Sequence, residues 1–303
     1  MRAALLTAYG QPPELGERPV PPGAVRVTAA PIVPLDLLCA TGTSYFGPPP
    51  LPYVPGVQGV GVLDGRRVFF TTSAGMAPGD GSLAEHAVGE DPIPLPDDVP
   101  DELVAALGLS AVAAWMALTW RARLRPGERV LVLGAGGAVG QVAVQAALAL
   151  GASAVVAASR RDLHRKLAAE RGATATVDLS DEDGLADRMR EAAGGPVDVV
   201  IDPVGGDTAT AALLVLAEHG RLVHLGASGG PTATFSSAAL RSGSHTILGY
   251  TNNAVTAAQK AEALGAVLER RCTVTHETVA LDAVADAWTR TGASPDGRLV
   301  VVP

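Results

Sequence analysis

Four glycines at positions 134, 136, 137 and 140 carry the clearest chemical signal in this sequence. Glycine tolerates positive φ and lets a backbone approach a ligand closely, and the first turn of a helix offers N–H groups and a positive dipole end to phosphate. The glycines stand between an apolar run at 130–133 and a helical apolar stripe that stops at Gly151. We therefore predict a strand, a turn and a helix that bind the pyrophosphate of a dinucleotide, through Gly134, Gly136, Gly137, Ala138, Val139 and Gly140.

The residues after the next apolar run, at 154–158, distinguish between dinucleotides. That run completes a βαβ unit, in which a carboxylate at the end of the second strand would bind the adenosine ribose. This chain has Ser159, Arg160 and Arg161 there instead. Because a hydroxyl and guanidinium groups can hold a 2′-phosphate by charge-assisted hydrogen bonds, the sequence predicts NADP(H). The alternatives are a solvated basic helix start and a tight glycine turn in some other α/β protein.

Three later apolar segments, at 197–201, 220–226 and 246–250, are predicted strands of the same sheet. Ligands of a doubly wound sheet bind at the carboxyl ends of its strands. We therefore predict further cofactor contacts at these ends, namely Asp202, Val204, Leu225, Gly226, Ala227, Gly249 and Tyr250. His224 lies inside a strand, and we predict that it is a structural histidine rather than a catalytic one.

The elements that must position these residues fall into two groups. Residues 1–100 hold most of the 23 prolines and have short apolar runs between Pro/Gly turns, which predicts a β-rich domain of the barrel or sandwich type. From residue 101 the pattern becomes helical, and beyond residue 160 helices and strands alternate. This alternation predicts an α/β domain with a doubly wound parallel sheet.

Composition limits the partners and the chemistry. A net charge of −8 argues against nucleic acid or an anionic membrane as the main partner, because both select basic surfaces. Cys39 and Cys272 are far apart, and the six histidines form no paired spacing. We therefore predict no metal site and no disulfide framework, and we expect the two thiols to be small buried side chains.

The sequence also bears on localisation. The first ten residues, MRAALLTAYG, lack an apolar core long enough for a signal peptide, so we expect a cytoplasmic protein. Two uncharged stretches, 103–120 and 130–159, reach the length of a membrane span. Gly108 and Ser110 interrupt the first, and the second contains five glycines and divides into strand, helix and strand. We therefore expect no membrane segment.

Taken together, six segments resemble the zinc-independent quinone oxidoreductase branch of the medium-chain dehydrogenase/reductase superfamily. They are PLPYVPGVQGVGV at 50–62, GSLAEH at 81–86, LRPGERVLVLGAGGAVGQVAVQ at 124–145, VDVVIDPVGG at 197–206, GRLVHLG at 220–226 and GRLVVV at 297–302. The resemblance implies a Rossmann domain at 109–251, inserted into a β-rich GroES-like catalytic domain made of 1–108 and 252–303. It also implies a homodimer formed through strands near 246–250.

The departures from zinc-dependent relatives matter as much as the matches. Those relatives have a cysteine ahead of the Asp36 position, a His-Glu pair where this chain has Val57 and Gln58, and a lobe with four cysteines. None of these is present, so the resemblance implies chemistry without zinc. Quinone reductases often have Asn where this chain has Val33, which leaves the particular substrate open.

Without a metal, the expected catalysis is hydride transfer from a nicotinamide held against an electron-poor acceptor, either a quinone or an α,β-unsaturated carbonyl. The proton can come from water or from a hydroxyl group. The candidate donors are Tyr45, Tyr53 and Tyr250, with Asp36 as an orienting group and Ser110 near the nicotinamide or substrate.

Three alternatives remain open on the sequence. An enoyl-thioester reductase would need a basic entrance, and residues 40–60 supply no Lys/Arg cluster. An NADPH-binding sensor without turnover would retain the residues that bind the cofactor but would not catalyse hydride transfer. A hydrolase is suggested by the GxSxG pattern at 226–230, but a nucleophile elbow requires a helix directly after the serine, and Pro231 follows instead.

Overall fold

The computed structural model describes residues 1–303, which form two compact units. The first unit consists of Met1–Gly108 and Val274–Pro303, and the second of Leu109–Thr273. The second boundary therefore falls after Thr273, about one helix later than the predicted one after residue 251. Gln145 explains the difference, because its side-chain amide donates to the Thr273 carbonyl at 2.7 Å and accepts from the Thr273 N–H at 3.0 Å. These bonds tie the segment after residue 251 to the second unit.

The secondary structure comprises fifteen strands, nine α-helices and short 3₁₀ or π turns. The strands are β1 Arg2–Leu5, β2 Glu14–Glu17, β3 Val25–Pro31, β4 Gln58–Leu63, β5 Arg66–Thr71, β6 His86–Ala87, β7 Glu90–Pro94, β8 Arg129–Leu133, β9 Ala154–Ser159, β10 Ala175–Asp178, β11 Val197–Asp202, β12 Leu216–His224, β13 Thr246–Gly249, β14 His276–Ala280 and β15 Arg298–Val302. The helices are α1 Pro34–Ala40, α2 Asp101–Met116, α3 Ala138–Ala149, α4 Asp162–Glu170, α5 Leu185–Ala192, α6 Gly206–Leu213, α7 Ser237–Ser242, α8 Ala257–Glu269 and α9 Val284–Gly292.

The first unit is built on a mostly antiparallel sheet of seven strands, in the order β14-β15-β3-β4-β5-β7 with β6 paired to β3. A separate ribbon pairs β1 with β2. The predicted β-rich character of this region is confirmed. Its core contains fully buried side chains from both ends of the chain, for example Leu6, Phe70 and Leu281. The carboxyl-terminal strands therefore complete a sheet that the amino-terminal residues begin.

Helix α2 contains a break at Gly108, where φ is +34°. A Cβ at this position would lie 2.5 Å from Oε1 of the buried Gln58 side chain, so any other residue would have to displace that amide and adopt a strained backbone conformation. The segment Asp101–Arg121 is long and apolar enough to cross a membrane, but 72% of its most apolar window is buried in the structure. Burial of that kind is typical of a core helix in a globular protein.

The second unit contains a six-stranded parallel sheet in the order β10-β9-β8-β11-β12-β13. This order confirms the predicted doubly wound sheet of the Rossmann type. The strands are buried and apolar, as in Leu131, Val156 and Val200, because helices cover both faces of such a sheet. Strand order reverses between β8 and β11, and ligands of doubly wound sheets bind at that reversal.

Candidate cofactor and active site

The glycine turn after β8 has a conformation that is fixed by its own backbone and by its neighbours. Gly134 has a φ of +62°, and a Cβ there would lie 2.8 Å from a methyl group of Val204. A Cβ on Gly140 would collide with the Gly134 carbonyl oxygen. The Ala135 N–H donates to the Ala158 carbonyl at 3.0 Å, which fixes the turn against β9. Two of the predicted glycines are therefore required by close packing and backbone conformation.

Helix α3 begins directly after this turn, with Gly137 as its N-cap residue. The N–H groups of Ala138, Val139 and Gly140 have no intrahelical acceptor, because they belong to the first turn of the helix. Gln141 closes the turn from behind, since its Nε2 donates to the Gly136 carbonyl at 2.7 Å. The first turn of α3 has unpaired N–H groups, and a Cβ on Gly134 or Gly140 would collide with neighbouring atoms. This arrangement can bind the pyrophosphate of a dinucleotide.

The end of β9 provides the polar group expected beside the adenosine ribose. Ser159 is 6% exposed, and Arg160 and Arg161, which follow it, are exposed. The next two cations are already paired. Arg165 donates to the Ser159 carbonyl at 2.9 Å and pairs with Asp178 at 3.1 Å. The Lys166 ammonium lies 2.7 Å from the Asp162 carboxylate.

Asp202 does not have the role predicted for it. Its side chain is fully buried, and Oδ1 accepts from the N–H groups of Val204 at 2.9 Å and Gly205 at 2.8 Å. Its Oδ2 lies 2.7 Å from Nδ1 of His224, whose side chain is 41% exposed, and the structural role predicted for His224 stays a prediction. Both carboxylate oxygens of Asp202 are thus used inside the protein. Asp202 shapes the turn after β11, and direct contact with a cofactor is excluded by its burial.

The other predicted contacts lie at the same edge of the sheet as the glycine turn. Leu225 donates its N–H to the Asp202 carbonyl at 2.8 Å, and Gly226 and Ala227 continue from there. The Tyr250 N–H donates to the His224 carbonyl at 2.9 Å. Parallel register aligns Asp202, His224 and Gly249 across β11, β12 and β13. The carboxyl edge therefore brings together the residues predicted after each strand.

Tyr250 is held in one orientation by groups that the sequence analysis missed. Its hydroxyl donates to Oδ1 of Asn252 at 2.7 Å, and Asn252 Nδ2 donates to the Leu109 carbonyl at 3.2 Å. The ring packs edge-on against Trp120, with centroids 6.4 Å apart. Burial raises the pKa of the Tyr250 phenol. An amide two residues after a tyrosine was the only sequence signal for this arrangement.

Asp36 lies in the first unit, in the first turn of α1, and is 2% exposed. Its carboxylate accepts from the N–H groups of Val33 at 2.8 Å and Val57 at 3.0 Å. Burial raises its pKa to about 6, against the opposing effects of these hydrogen bonds and of Arg298. Burial also lowers the pKa of Arg298 to about 10. Asp36 thus links α1 to the start of β4, while Arg298 was not identified from the sequence.

The remaining hydroxyl candidates differ sharply in exposure. Tyr53 is 4% exposed and packs in the core of the first unit, so the prediction of a proton donor there is wrong. Burial also raises the pKa of its phenol. Tyr45 is 77% exposed and stacks on Phe46, with ring centroids 4.2 Å apart. Ser110 is half-buried and lies two residues beyond the break in α2.

No group of three or more His, Cys, Asp or Glu side chains is arranged to hold a metal ion. Cys39 and Cys272 are free thiols and both are buried, as predicted. Gln58 is also buried, and its Nε2 donates to the Ala105 carbonyl at 3.4 Å. Val57 and Gln58 therefore serve packing and an internal hydrogen bond.

Several known proteins are similar to this chain. The family model described as zinc-binding dehydrogenase matches residues 138–269. The quinone oxidoreductase-like protein 2 of Mus musculus is 37% identical over 248 residues, which is 77% of this chain and 70% of the mouse protein. Two solved structures match over the full length of both chains. They are the quinone oxidoreductase of Thermus thermophilus, studied also with NADPH (TM-score 0.84, 32% identity), and a mycobacterial quinone oxidoreductase (TM-score 0.87, 26% identity).

Proposed function

Because this chain belongs to the quinone oxidoreductase-like branch of the medium-chain dehydrogenase/reductase superfamily, we propose that it is an NADPH-dependent, zinc-independent reductase of quinones or α,β-unsaturated carbonyls. One observation carries the proposal. The free start of α3 lies over a glycine cradle, and the neighbouring strand ends in Ser159, Arg160 and Arg161. That pairing suits a dinucleotide with a phosphate on its adenosine ribose.

The chain's own residues bind and orient the cofactor. The N–H groups of Ala138 and Val139 would bind the pyrophosphate, and Ser159 with the two following arginines would bind the 2′-phosphate. When bound, NADPH supplies the hydride. Asp202 would act as a positioning residue, because it fixes the turn that carries Val204 beside Gly134.

The proposed acceptor class follows from the side chains available. Val57 and Gln58 are not zinc ligands, so the chain offers no Lewis acid of its own to polarise an isolated ketone. Quinones and enones spread the incoming charge over a conjugated oxygen and need only a proton in addition. Tyr45, Tyr250 and Ser110 are the proposed sources or relays of that proton, or water is.

A panel of acceptors tests the proposal. The absorbance of NADPH is followed with quinones, enones and enoyl thioesters, while calorimetry measures the binding of NADPH and NADH. We expect NADPH to bind more tightly than NADH and to be oxidised by a quinone or an enone. Oxidation by enoyl thioesters alone would identify the thioester reductase, and binding without any oxidation would identify a sensor. Absence of binding to either carrier would refute the proposal.

Three variants sharpen this test. Ser159→Asp places a carboxylate where the 2′-phosphate would lie, and we expect it to reverse the preference toward NADH. Ser242→Asp, on an exposed position of α7, is the matched control and should leave the preference unchanged.

Tyr45→Phe is expected to weaken turnover without removing NADPH binding, and an unaltered rate would remove Tyr45 from the proton donors.

A homodimer is also proposed, through the edge of the parallel sheet. β13 is the last strand in the sheet and pairs only with β12. Its outer edge carries unpaired backbone groups, and Ile247 on this strand is 41% exposed. A second copy of the same strand would cover both features by twofold pairing.

A further inference from the structure

Apolar side chains that face solvent gather around β13, one edge strand of the parallel sheet. Five large apolar side chains of the second unit are exposed, and four of them border this strand. Ile247 lies on β13, and Trp120 packs against Tyr250, which directly follows it. The other two, Leu214 and Phe235, line a groove of about 250 Å³ that reaches the residue before β13. Strand β10, at the opposite edge, carries no exposed large apolar side chain, so the feature is particular to β13.

Backbone groups on the outer edge of β13 limit how a second copy can pair with it. The Tyr250 N–H donates to the His224 carbonyl of β12 at 2.9 Å, so it points into the sheet. Successive residues of a strand direct their N–H and C=O groups to alternate sides. Leu248 therefore also points into the sheet, while Ile247 and Gly249 present their backbone groups to the outside.

The residues on either side of these two have backbone groups that are already bonded. The His245 N–H donates to a carbonyl of α7 at 3.0 Å, and the Thr251 carbonyl accepts from an N–H of the following 3₁₀ turn at 3.2 Å. Antiparallel pairing of Ile247 with its own copy would bring His245 to the partner's edge, and pairing of Gly249 with its own copy would bring Thr251 there. Only a register with Ile247 opposite Gly249 uses groups that are all unbonded.

We propose that two copies of the chain pair antiparallel through β13 with Leu248 on the twofold axis. The inference rests on the homodimer that is part of the proposed function. Ile247 then lies opposite the partner's Gly249, and these residues exchange both backbone hydrogen bonds on each side of the axis. A Cβ on Gly249 meets nothing within 4 Å in the single chain, so the space beside this glycine is open to the partner's Ile247.

The contact extends beyond the strand itself. Specific interfaces bury about 800 Å² on each partner, and a four-residue strand cannot supply that area alone. The nearest exposed apolar surface is the groove that Leu214 and Phe235 line next to the start of β13. The second copy therefore covers this groove as well as the strand edge.

Single cysteines test the register, because both native thiols are buried. At position 248 the two Cα atoms would be about 4.5 Å apart, which a disulfide can span, whereas at position 247 they would be roughly 8 Å apart. Leu248→Cys should therefore form a covalent dimer on oxidation with diamide, and Ile247→Cys should run as a monomer on a non-reducing gel. A cross-link in Ile247→Cys would place Ile247 on the axis and overturn the inference.

Gly249→Leu provides a second readout that needs no oxidation. It adds a side chain where the partner's Ile247 would lie, so the dissociation constant of the dimer should rise at least about tenfold in sedimentation equilibrium. Gly265→Leu is the matched control, because it adds the same side chain at an open position of α8 and should leave the constant unchanged. An unchanged constant in Gly249→Leu would also overturn the inference.

Sedimentation of the wild type separates failure of the register from failure of the homodimer. A dimeric wild type without the cross-link in Leu248→Cys would refute the register alone. A monomeric wild type would refute the homodimer itself. Both cysteine variants should sediment as dimers under reducing conditions, which checks their folding. If Leu248→Cys does not, the result for Gly249→Leu decides.

Discussion

The buried hydroxyl of Tyr53 lowers the stability of the fold. It lies in the core of the first unit and has no hydrogen-bond partner. A buried hydroxyl without a partner costs about 1–3 kcal/mol in desolvation, so Tyr53→Phe should raise the free energy of unfolding by ~1 kcal/mol. Tyr9→Phe is the matched control, because the Tyr9 hydroxyl donates to the Pro49 carbonyl at 2.6 Å. Urea unfolding should show a loss of ~1 kcal/mol in that variant. Destabilisation by Tyr53→Phe would mean that the Tyr53 hydroxyl does have a hydrogen-bond partner.

Asp36 predicts a pH dependence of stability. Its pKa rises from 3.8 to about 6 on folding because the carboxyl is buried. Between these values the folded chain binds more protons than the unfolded chain, so the free energy of unfolding falls as pH rises. Asp36→Asn cannot titrate, and we expect wild type to lose up to ~3 kcal/mol relative to this variant between pH 4 and pH 7.

The measurement is urea unfolding at pH values across that interval. Asp64→Asn serves as a control, since Asp64 is an exposed residue in a turn with a φ of +48°, a conformation that Asn also tolerates. The stability of Asp64→Asn should follow wild type at every pH. A constant difference between wild type and Asp36→Asn would show that Asp36 does not titrate in this interval.

Helix α2 requires glycine at its break, Gly108. Gly108→Ala would place a methyl group 2.5 Å from the Gln58 amide, at a backbone conformation that L-residues rarely adopt. We expect a loss of about 1–3 kcal/mol in the free energy of unfolding. Gly265→Ala is the control, because a Cβ there meets nothing within 4 Å in the interior of α8. That substitution should stabilise the protein by about 0.5–1 kcal/mol, as alanine does in helices. Equal effects on the melting temperature would contradict the close contact at Gly108.

Local patterns were enough to predict the elements of the parallel sheet but not their long-range partners. Periodicity and glycine spacing predicted β8, the turn and α3, because those signals lie within about twenty residues. Tyr53 was misassigned because a tyrosine suits both a core and a site. The bond between Asp202 and His224 depends on the register of β11 and β12, which a sequence pattern does not specify. The boundary of the second unit depends on Gln145 and Thr273, which are 128 residues apart.

At the scale of the whole molecule, each unit has its own core, and the two ends of the chain complete the first of them. The parallel sheet of the second unit has two edge strands, β10 and β13, and the exposed apolar side chain of Ile247 lies on β13. An open edge strand with an exposed apolar side chain tends to pair with another chain. The proposed homodimer therefore depends on a four-residue strand, and one substitution on that strand should decide it.

Ile247→Lys should convert the proposed dimer to a monomer, because a charged side chain would be buried against its symmetry mate without a partner. Leu15→Lys is the control, since Leu15 is 46% exposed and lies on β2 of the first unit, which is not a strand of the parallel sheet. Sedimentation equilibrium at several concentrations should give a dimer for wild type and Leu15→Lys, and a monomer for Ile247→Lys. A dimeric Ile247→Lys variant would mean that another surface forms the assembly, and a monomeric wild type would refute the dimer. Cofactor binding by the monomeric variant should persist, because every residue proposed to bind the phosphates belongs to a single chain.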